Sequence, residues 1–167
     1  SWLRVGSTGL AECIRKVVEM SGWKERRGRL GPGRGLGLAC STYMCGAGVS
    51  IYWNKMPHSA VQLLLDRSGQ VTVYCGATEL GQGSDDVLAS IIAESLGIDP
   101  GFIRCITGDT GITPIDLGSY SSRVTIMMGN AAVQAANKLR DQLATAAAEQ
   151  LDTLPDRVVL SRGRVFA

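Results

Sequence analysis

With 167 residues the chain is long enough for one domain with a sizeable core. Hydrophobic residues make up 45% and charged residues 19%, a balance that excludes a disordered chain. A formal net charge of +2 is too small to imply nucleic acid or a membrane surface as a partner, and no run reaches the ~18 apolar residues of a membrane span.

No basic-then-apolar segment opens the chain. The chain starts at Ser1 rather than at a methionine and stops at Ala167 inside an expected strand, so both ends read as cut and residues 1–167 as a single partial domain. The five cysteines are Cys13, Cys40, Cys45, Cys75 and Cys105, an odd number with no Cys-x-x-Cys pair, and His58 is the one histidine. A zinc site needs ligands paired at close spacing. The cysteines are therefore expected to be small buried hydrophobes in a reducing cytoplasm.

In chain order, Leu10 to Met20 reads as a short helix. Ile14, Val17 and Val18 are spaced by three and four, and Gly22 follows as a stop signal. Lys24, Arg26, Arg27, Arg29 and Arg34 then lie among glycines, in a stretch that reads as a solvated loop before an anion site. Residues 36–52 suggest two short strands around a turn at 44–48. Residues 60–66 and 70–76 give the clearest hairpin, with Val61, Leu63 and Leu65 on one face and Arg67-Ser68-Gly69 as the turn. Ser84 to Leu96 is the clearest helix, expected to be capped by Ser84 and ended by Gly97.

Residues 100–107 read as a strand through Phe102, Ile103, Cys105 and Ile106, and residues 108–118 as a loop. A long helix is expected over 122–151, its inner face made of Met128, Ala132, Ala135, Ala136, Leu139, Leu143 and Ala147. Residues 158–166 close the chain as a hairpin or strand. This order predicts a layered α+β domain with β-hairpins, in which one short and one long helix pack on a mixed sheet.

Two stretches could carry chemistry. Residues 77–86 run from the hairpin into the clear helix, and Gly81 and Gly83 flank Gln82. Glycines let a backbone press on a ligand, and an amide side chain offers both a donor and an acceptor. Free N–H groups at a helix start can receive a phosphate. Asp85 and Asp86 would compete for that positive end, so a plain capped turn is the simpler account. In the second stretch, Ser119, Tyr120, Ser121, Ser122 and Thr125 gather hydroxyls at the entrance to the long helix. They could bind a polar heterocycle, or Ser121 or Ser122 could simply cap the helix.

Other chemistries fit poorly. The glycines of 28–37 lack the Gly-Lys-Ser/Thr ending of a phosphate loop and do not sit between a strand and a helix as a dinucleotide fingerprint would. Ser119, Ser121 and Ser122 lack a nearby base, and His58 is the only imidazole available, which argues against a Ser-His-Asp hydrolase. Glu79 and Asp85 suit strand-end and helix-cap roles better than an acid–base pair.

At these two stretches the sequence resembles the xanthine oxidase and aldehyde oxidase family of molybdenum hydroxylases. Thr78-Glu-Leu-Gly-Gln-Gly83 is similar to the family's Gly-Gln-Gly loop, and Gly118-Ser-Tyr-Ser-Ser-Arg123 to its Gly-Thr-Tyr-x-Ser-Arg segment. Their order, the gap of about 35 residues from Gly83 to Gly118, and the intervening Asp109, Thr110 and Pro114 also match. Within the family, Cys40-Ser-Thr-Tyr-Met-Cys-Gly-Ala-Gly48 looks most like the large subunits of 4-hydroxybenzoyl-CoA reductases.

The resemblance implies a molybdopterin-binding region, with Gly81, Gln82, Gly83, Ser84 and Asp85 around the pterin and its phosphates. Ser119, Tyr120, Ser121 and Ser122 would lie towards the molybdenum and the pterin. It further implies molybdopterin cytosine dinucleotide as cofactor, and partner subunits carrying 2Fe-2S clusters and FAD. The reaction implied is ferredoxin-driven dehydroxylation of 4-hydroxybenzoyl-CoA to benzoyl-CoA in the cytoplasm. Hydroxylation of an aldehyde or N-heterocycle is the alternative, and a non-catalytic α+β binding module the contrast. The family's Gly-x-Gly-Glu glutamate, its Gly- and Phe-rich loop and an earlier arginine have no counterpart here. This stretch by itself is therefore expected not to catalyse, and no catalytic or metal-ligating residue is assigned within it.

Overall fold

A computed structural model describes residues 6–43 and 59–167. The chain forms two compact units, Ser1–Thr42 and Tyr43–Ala167. In the first, helix α1 (Leu10–Met20) has the expected bounds, and Gly22 turns the chain with φ 61°. A second short helix, α2 (Trp23–Arg26), follows where a loop was expected to begin. No α1 residue is buried. Its exposed i,i+4 pairs, such as Lys16–Glu12 at 2.8 Å, contribute about 0.5 kcal/mol at most. The arginines of the glycine-rich stretch are exposed, as a solvated loop requires.

In the second unit, β1 (Val61–Leu65) and β2 (Val71–Cys75) form the expected hairpin. Asp66 shapes its turn by accepting from the N–H groups of Ser68 and Gln70. The chain leaves β2, runs through α3 (Ser84–Leu96) and returns as β3 (Ile103–Thr107), parallel to β2. A parallel return needs such a crossover, since no tight turn can reverse the chain twice. Phe102 belongs to a 3₁₀ turn before β3 and is exposed, so that strand starts later than the sequence suggested.

Register explains the core. Val61 lies opposite Cys75, Leu63 opposite Val73 and Leu65 opposite Val71, while Val71 and Val73 also pair with Ile103 and Cys105. With a side-chain period of two, all of these share one face. Leu88, Ile92 and Leu96 of α3 and Met128, Ala132 and Ala136 complete the buried cluster. The alanines let helix α4 (Gly129–Leu151) come close to the sheet and to α3. Ile92 is fully buried, and its truncation to alanine would cost about 2–5 kcal/mol. A second small hairpin, β4 (Val159–Ser161) with β5 (Arg164–Phe166), matches the expected C-terminal element.

The architecture is the expected α+β arrangement of helices on a small mixed sheet, with four corrections. Gly83, in the left-handed region, is the N-cap of α3, and Ser84 is already its first helical residue. The long helix begins at Gly129, after a π-helical turn at Val124–Met128, rather than at 122. Among the described residues of 36–52 there is no strand; residues 44–52, their turn, Cys45 and His58 lie outside the described part. Cys75 is buried and Cys105 half-buried, but Cys13 and Cys40 are exposed. Cys13 lies on a helix that buries none of its residues and Cys40 in a stretch without regular secondary structure, so among the described residues neither thiol is buried.

Candidate functional site

The loop after β2 is built by Glu79. One carboxylate oxygen accepts from the N–H groups of Gly81 (2.7 Å) and Gly83 (3.0 Å). The other accepts from the Ser84 hydroxyl and the Asp85 N–H, both at 3.2 Å. Burial alone would push this carboxyl up, but the N–H groups of Asp85, Gly83 and Gly81 and the Ser84 hydroxyl together bring it down to about 2. The chain's own carboxylate thus takes the helix-start N–H groups that the sequence had offered to a phosphate. Glu79 caps α3 from outside the helix, in place of the Ser84 cap the sequence suggested.

Gln82 closes the same loop. Its amide nitrogen donates to the Thr78 carbonyl (3.1 Å) and the Ser84 hydroxyl (2.9 Å), and its amide oxygen accepts from the Leu80 N–H at 2.5 Å. Its hydrogen-bonding capacity is therefore turned onto its own loop, although the residue is exposed. Asp85 points to β3 and accepts from the Thr107 hydroxyl at 3.2 Å. Burial raises its pKa, offset in part by that hydrogen bond.

The second loop is tied to the first by one side chain. The Ser119 hydroxyl accepts from the Thr78 N–H at 3.0 Å and donates to the Thr78 carbonyl at 2.7 Å. Gly76 allows the approach, because a Cβ there would lie 2.4 Å from the Pro114 carbonyl oxygen and 2.8 Å from the Asp116 Cβ. Beyond Ser119 the backbone does something rare. Ser121 and Ser122 both take left-handed dihedrals, with φ of 53° and 54°. Each such non-glycine residue costs on the order of 1–3 kcal/mol and persists only where its surroundings enforce it. Neither serine caps a helix: the π-helical turn and α4 that follow have no side-chain cap.

Beneath this loop lies a buried ion pair. The Arg123 guanidinium donates to Asp116 at 2.7 Å, and the two side chains are 1% and 0% exposed. The same guanidinium donates to the Gly118 carbonyl (2.6 Å) and the Ser59 hydroxyl (2.9 Å), and lies 5.6 Å from the centre of the Tyr120 ring. Removing one partner of such a pair typically costs about 3–5 kcal/mol, because a buried charge is left uncompensated.

The two loops face one cavity of about 630 Å³, lined by Tyr43, Leu80, Gly81, Gln82 and residues 119–125. Of the residues expected at a site, Gly81, Gln82, Ser119, Tyr120, Ser121 and Ser122 meet here. Gly83, Ser84 and Asp85 are not among the lining residues. Three participants escaped the sequence reading. Tyr43 accepts from the Ser121 N–H at 2.6 Å, and Asp116 and Arg123 form the buried pair. Arg123 carried a signal as the last residue of the second motif and Tyr43 as part of the 40–48 segment, whereas Asp116 carried none. Among the described residues no carboxylate lines the cavity; the polar groups there are hydroxyls, one amide, backbone and one guanidinium. Such a wall suits a heterocycle edged with donors and acceptors better than a bare metal ion.

Comparison with known proteins agrees with this chemistry. A molybdopterin cofactor-binding domain model matches residues 14–167. The putative xanthine dehydrogenase molybdenum-binding subunit of Escherichia coli is 33% identical over 97% of this chain and 22% of that one. The gamma subunit of the 6-hydroxypseudooxynicotine dehydrogenase complex of Paenarthrobacter nicotinovorans is 34% identical over 89% of this chain and 18% of its own. The crystal structure of quinoline 2-oxidoreductase from Pseudomonas putida superposes with a TM-score of 0.61 at 27% identity, covering 66% of this chain and 14% of that one. The chain thus spans about a fifth of the length of the curated relatives it matches. It belongs to the molybdopterin cofactor-binding domains of the xanthine oxidase family of molybdenum hydroxylases.

Proposed function

We propose that the cavity between the Gln82 loop and the Ser121–Ser122 loop holds the pterin part of a molybdenum cofactor. The observation that carries this reading is the shared cavity itself, since two motifs distant in sequence are stitched through Ser119 and Thr78 onto one polar wall. Gly81 and Gln82 would form one side, and Tyr120, Ser121 and Ser122 the other, through backbone amides and hydroxyls. Gly83, Ser84 and Asp85 would act one layer back, by holding the shape of the first loop. The bound group supplies the redox chemistry; these residues bind it, orient it and set its surroundings. Hydrogen exchange in the full-length protein, with and without cofactor, tests the reading. Protection should rise together in the peptides covering 78–85 and 118–125; protection confined elsewhere would reject it.

For the whole enzyme we propose a cytoplasmic, molybdenum-dependent oxidoreductase with molybdopterin cytosine dinucleotide. It would work beside a 2Fe-2S subunit and an FAD subunit. The likeness of residues 40–48 to 4-hydroxybenzoyl-CoA reductases supports reductive dehydroxylation of that aromatic acyl-CoA with ferredoxin as donor. A second reading, oxidative hydroxylation of an N-heterocycle, is favoured by the names of the relatives, among them a xanthine dehydrogenase subunit and a quinoline 2-oxidoreductase. The complex, given 4-hydroxybenzoyl-CoA and reduced viologen, forms benzoyl-CoA under the first reading. Dye reduction with xanthine or quinoline and no benzoyl-CoA would select the second.

A further inference from the structure

The left-handed pair Ser121–Ser122 needs something to enforce it, and the structure supplies a closed ring around it. A single oxygen of Asp116 accepts from the Gly118 N–H and from Arg123 Nη1, both at 2.7 Å. The same Nη1 also donates to the Gly118 carbonyl at 2.6 Å. Both ends of the 118–123 arc are therefore fastened to one buried carboxylate. Within the arc the Arg123 N–H donates to the Tyr120 carbonyl at 3.1 Å, which closes a tight turn. A short arc with fixed ends has few backbone solutions, and this one places residues 121 and 122 at positive φ.

We propose that Asp116 and Arg123 are positioning residues for the cofactor cavity: their ion pair ties the ends of the 118–123 arc and thereby holds Ser121 and Ser122 in the left-handed conformation that turns them onto the cavity wall. This deepens the reading that the cavity holds the pterin, and it rests on that reading. Charge is not the point of the pair, because the guanidinium is neutralised by Asp116 and screened from solvent. Lysine would keep the charge but lose the fork that reaches Asp116, the Gly118 carbonyl and Ser59 together.

A glycine background separates this role from general stability. Glycine adopts positive φ without steric cost, so Ser122→Gly lowers the demand for an enforcing clamp. Arg123→Lys is introduced into the full-length complex in the natural and in the Ser122→Gly background. Molybdenum per subunit and amide exchange of the 118–123 peptide in cofactor-free protein are then measured. In the natural background molybdenum content should fall about tenfold, the scale expected when an orienting residue around a cofactor site is lost. Exchange of the peptide should rise in parallel. In the glycine background both effects should shrink to about twofold, a coupling expected only of residues acting on one another.

Equal losses in both backgrounds, or unchanged exchange of the 118–123 peptide, would overturn the proposal. Should Arg123→Lys fail to fold, as read from exchange across β2 and α3, Asp116→Asn carries the same comparison. Gln82→Ala distinguishes the two levels of the argument. If it loses metal while the Arg123 and Asp116 variants keep it, the clamp alone is wrong. If all of these variants keep metal, the cavity reading fails and the proposal with it.

Discussion

Ser119 and Thr78, 41 residues apart, are joined by two hydrogen bonds through one hydroxyl, which accepts the Thr78 N–H and donates to its carbonyl. The pairing resembles one rung of a sheet ladder made by a side chain, and it sets the spacing of the two loops. Ser119→Ala should cost about 1 kcal/mol in urea unfolding, because water can replace part of what is lost at the exposed Thr78 backbone. The larger effect should be on exchange of the 78–85 amides, which should rise; unchanged exchange there would mean the loops are held together by other contacts.

Glu79 gives a pH signature. Its carboxyl is held at about 2 against an ordinary 4.5, so its charged form is favoured in the folded state. The stability it contributes is fully present above about pH 4.5 and is lost as pH falls through about 2. Glu79→Gln should therefore melt below the natural protein at pH values above 4.5, with the two curves converging toward pH 2. A difference independent of pH would show that the carboxylate's charge has no part in the cap.

Gly76 is a steric test of how the second loop is seated. An alanine Cβ would meet backbone at Pro114, which cannot swing aside as a side-chain tip can. Gly76→Ala should destabilise by about 1–3 kcal/mol, and it should displace the loop carrying Asp116. Circular-dichroism melts and exchange of the 114–123 peptide check the two effects separately.

Thiol reactivity should divide the cysteines. Burial pushes the Cys75 thiol up to about 12 and the Cys105 thiol up to about 11, whereas Cys13 and Cys40 are exposed. Since the thiolate is the reactive form, alkylation at about pH 8 should mark Cys13 and Cys40 and spare Cys75 and Cys105 until the protein is unfolded. Peptide mapping by mass spectrometry reads this directly.

The elements most legible in the sequence were those whose apolar period is strong over enough residues. Val61, Leu63 and Leu65, or Leu88 and Ile92, have one arrangement that buries them, and α3 and the β1–β2 hairpin follow. Ser84 misled because serine is a favoured cap in general. Here Glu79 reaches forward to the N–H groups of Gly81, Gly83 and Asp85, and no local pattern announces a cap from outside the helix. The start of the long helix was misplaced because hydroxyls at 119–125 read as a capping cluster, when Ser121 and Ser122 are bent into a strained loop. The site itself was half legible. Gly81, Gln82 and the serines carry motif signals, whereas Asp116 joins them through folding alone.

Metal and pterin analysis of the purified full-length complex carrying Gln82→Ala bears most directly on whether the two loops share one cofactor. The prediction is molybdenum and pterin falling together, about tenfold or more below the natural complex, while subunit assembly and melting temperature stay close to it. Full molybdenum and pterin content in that variant would contradict the account.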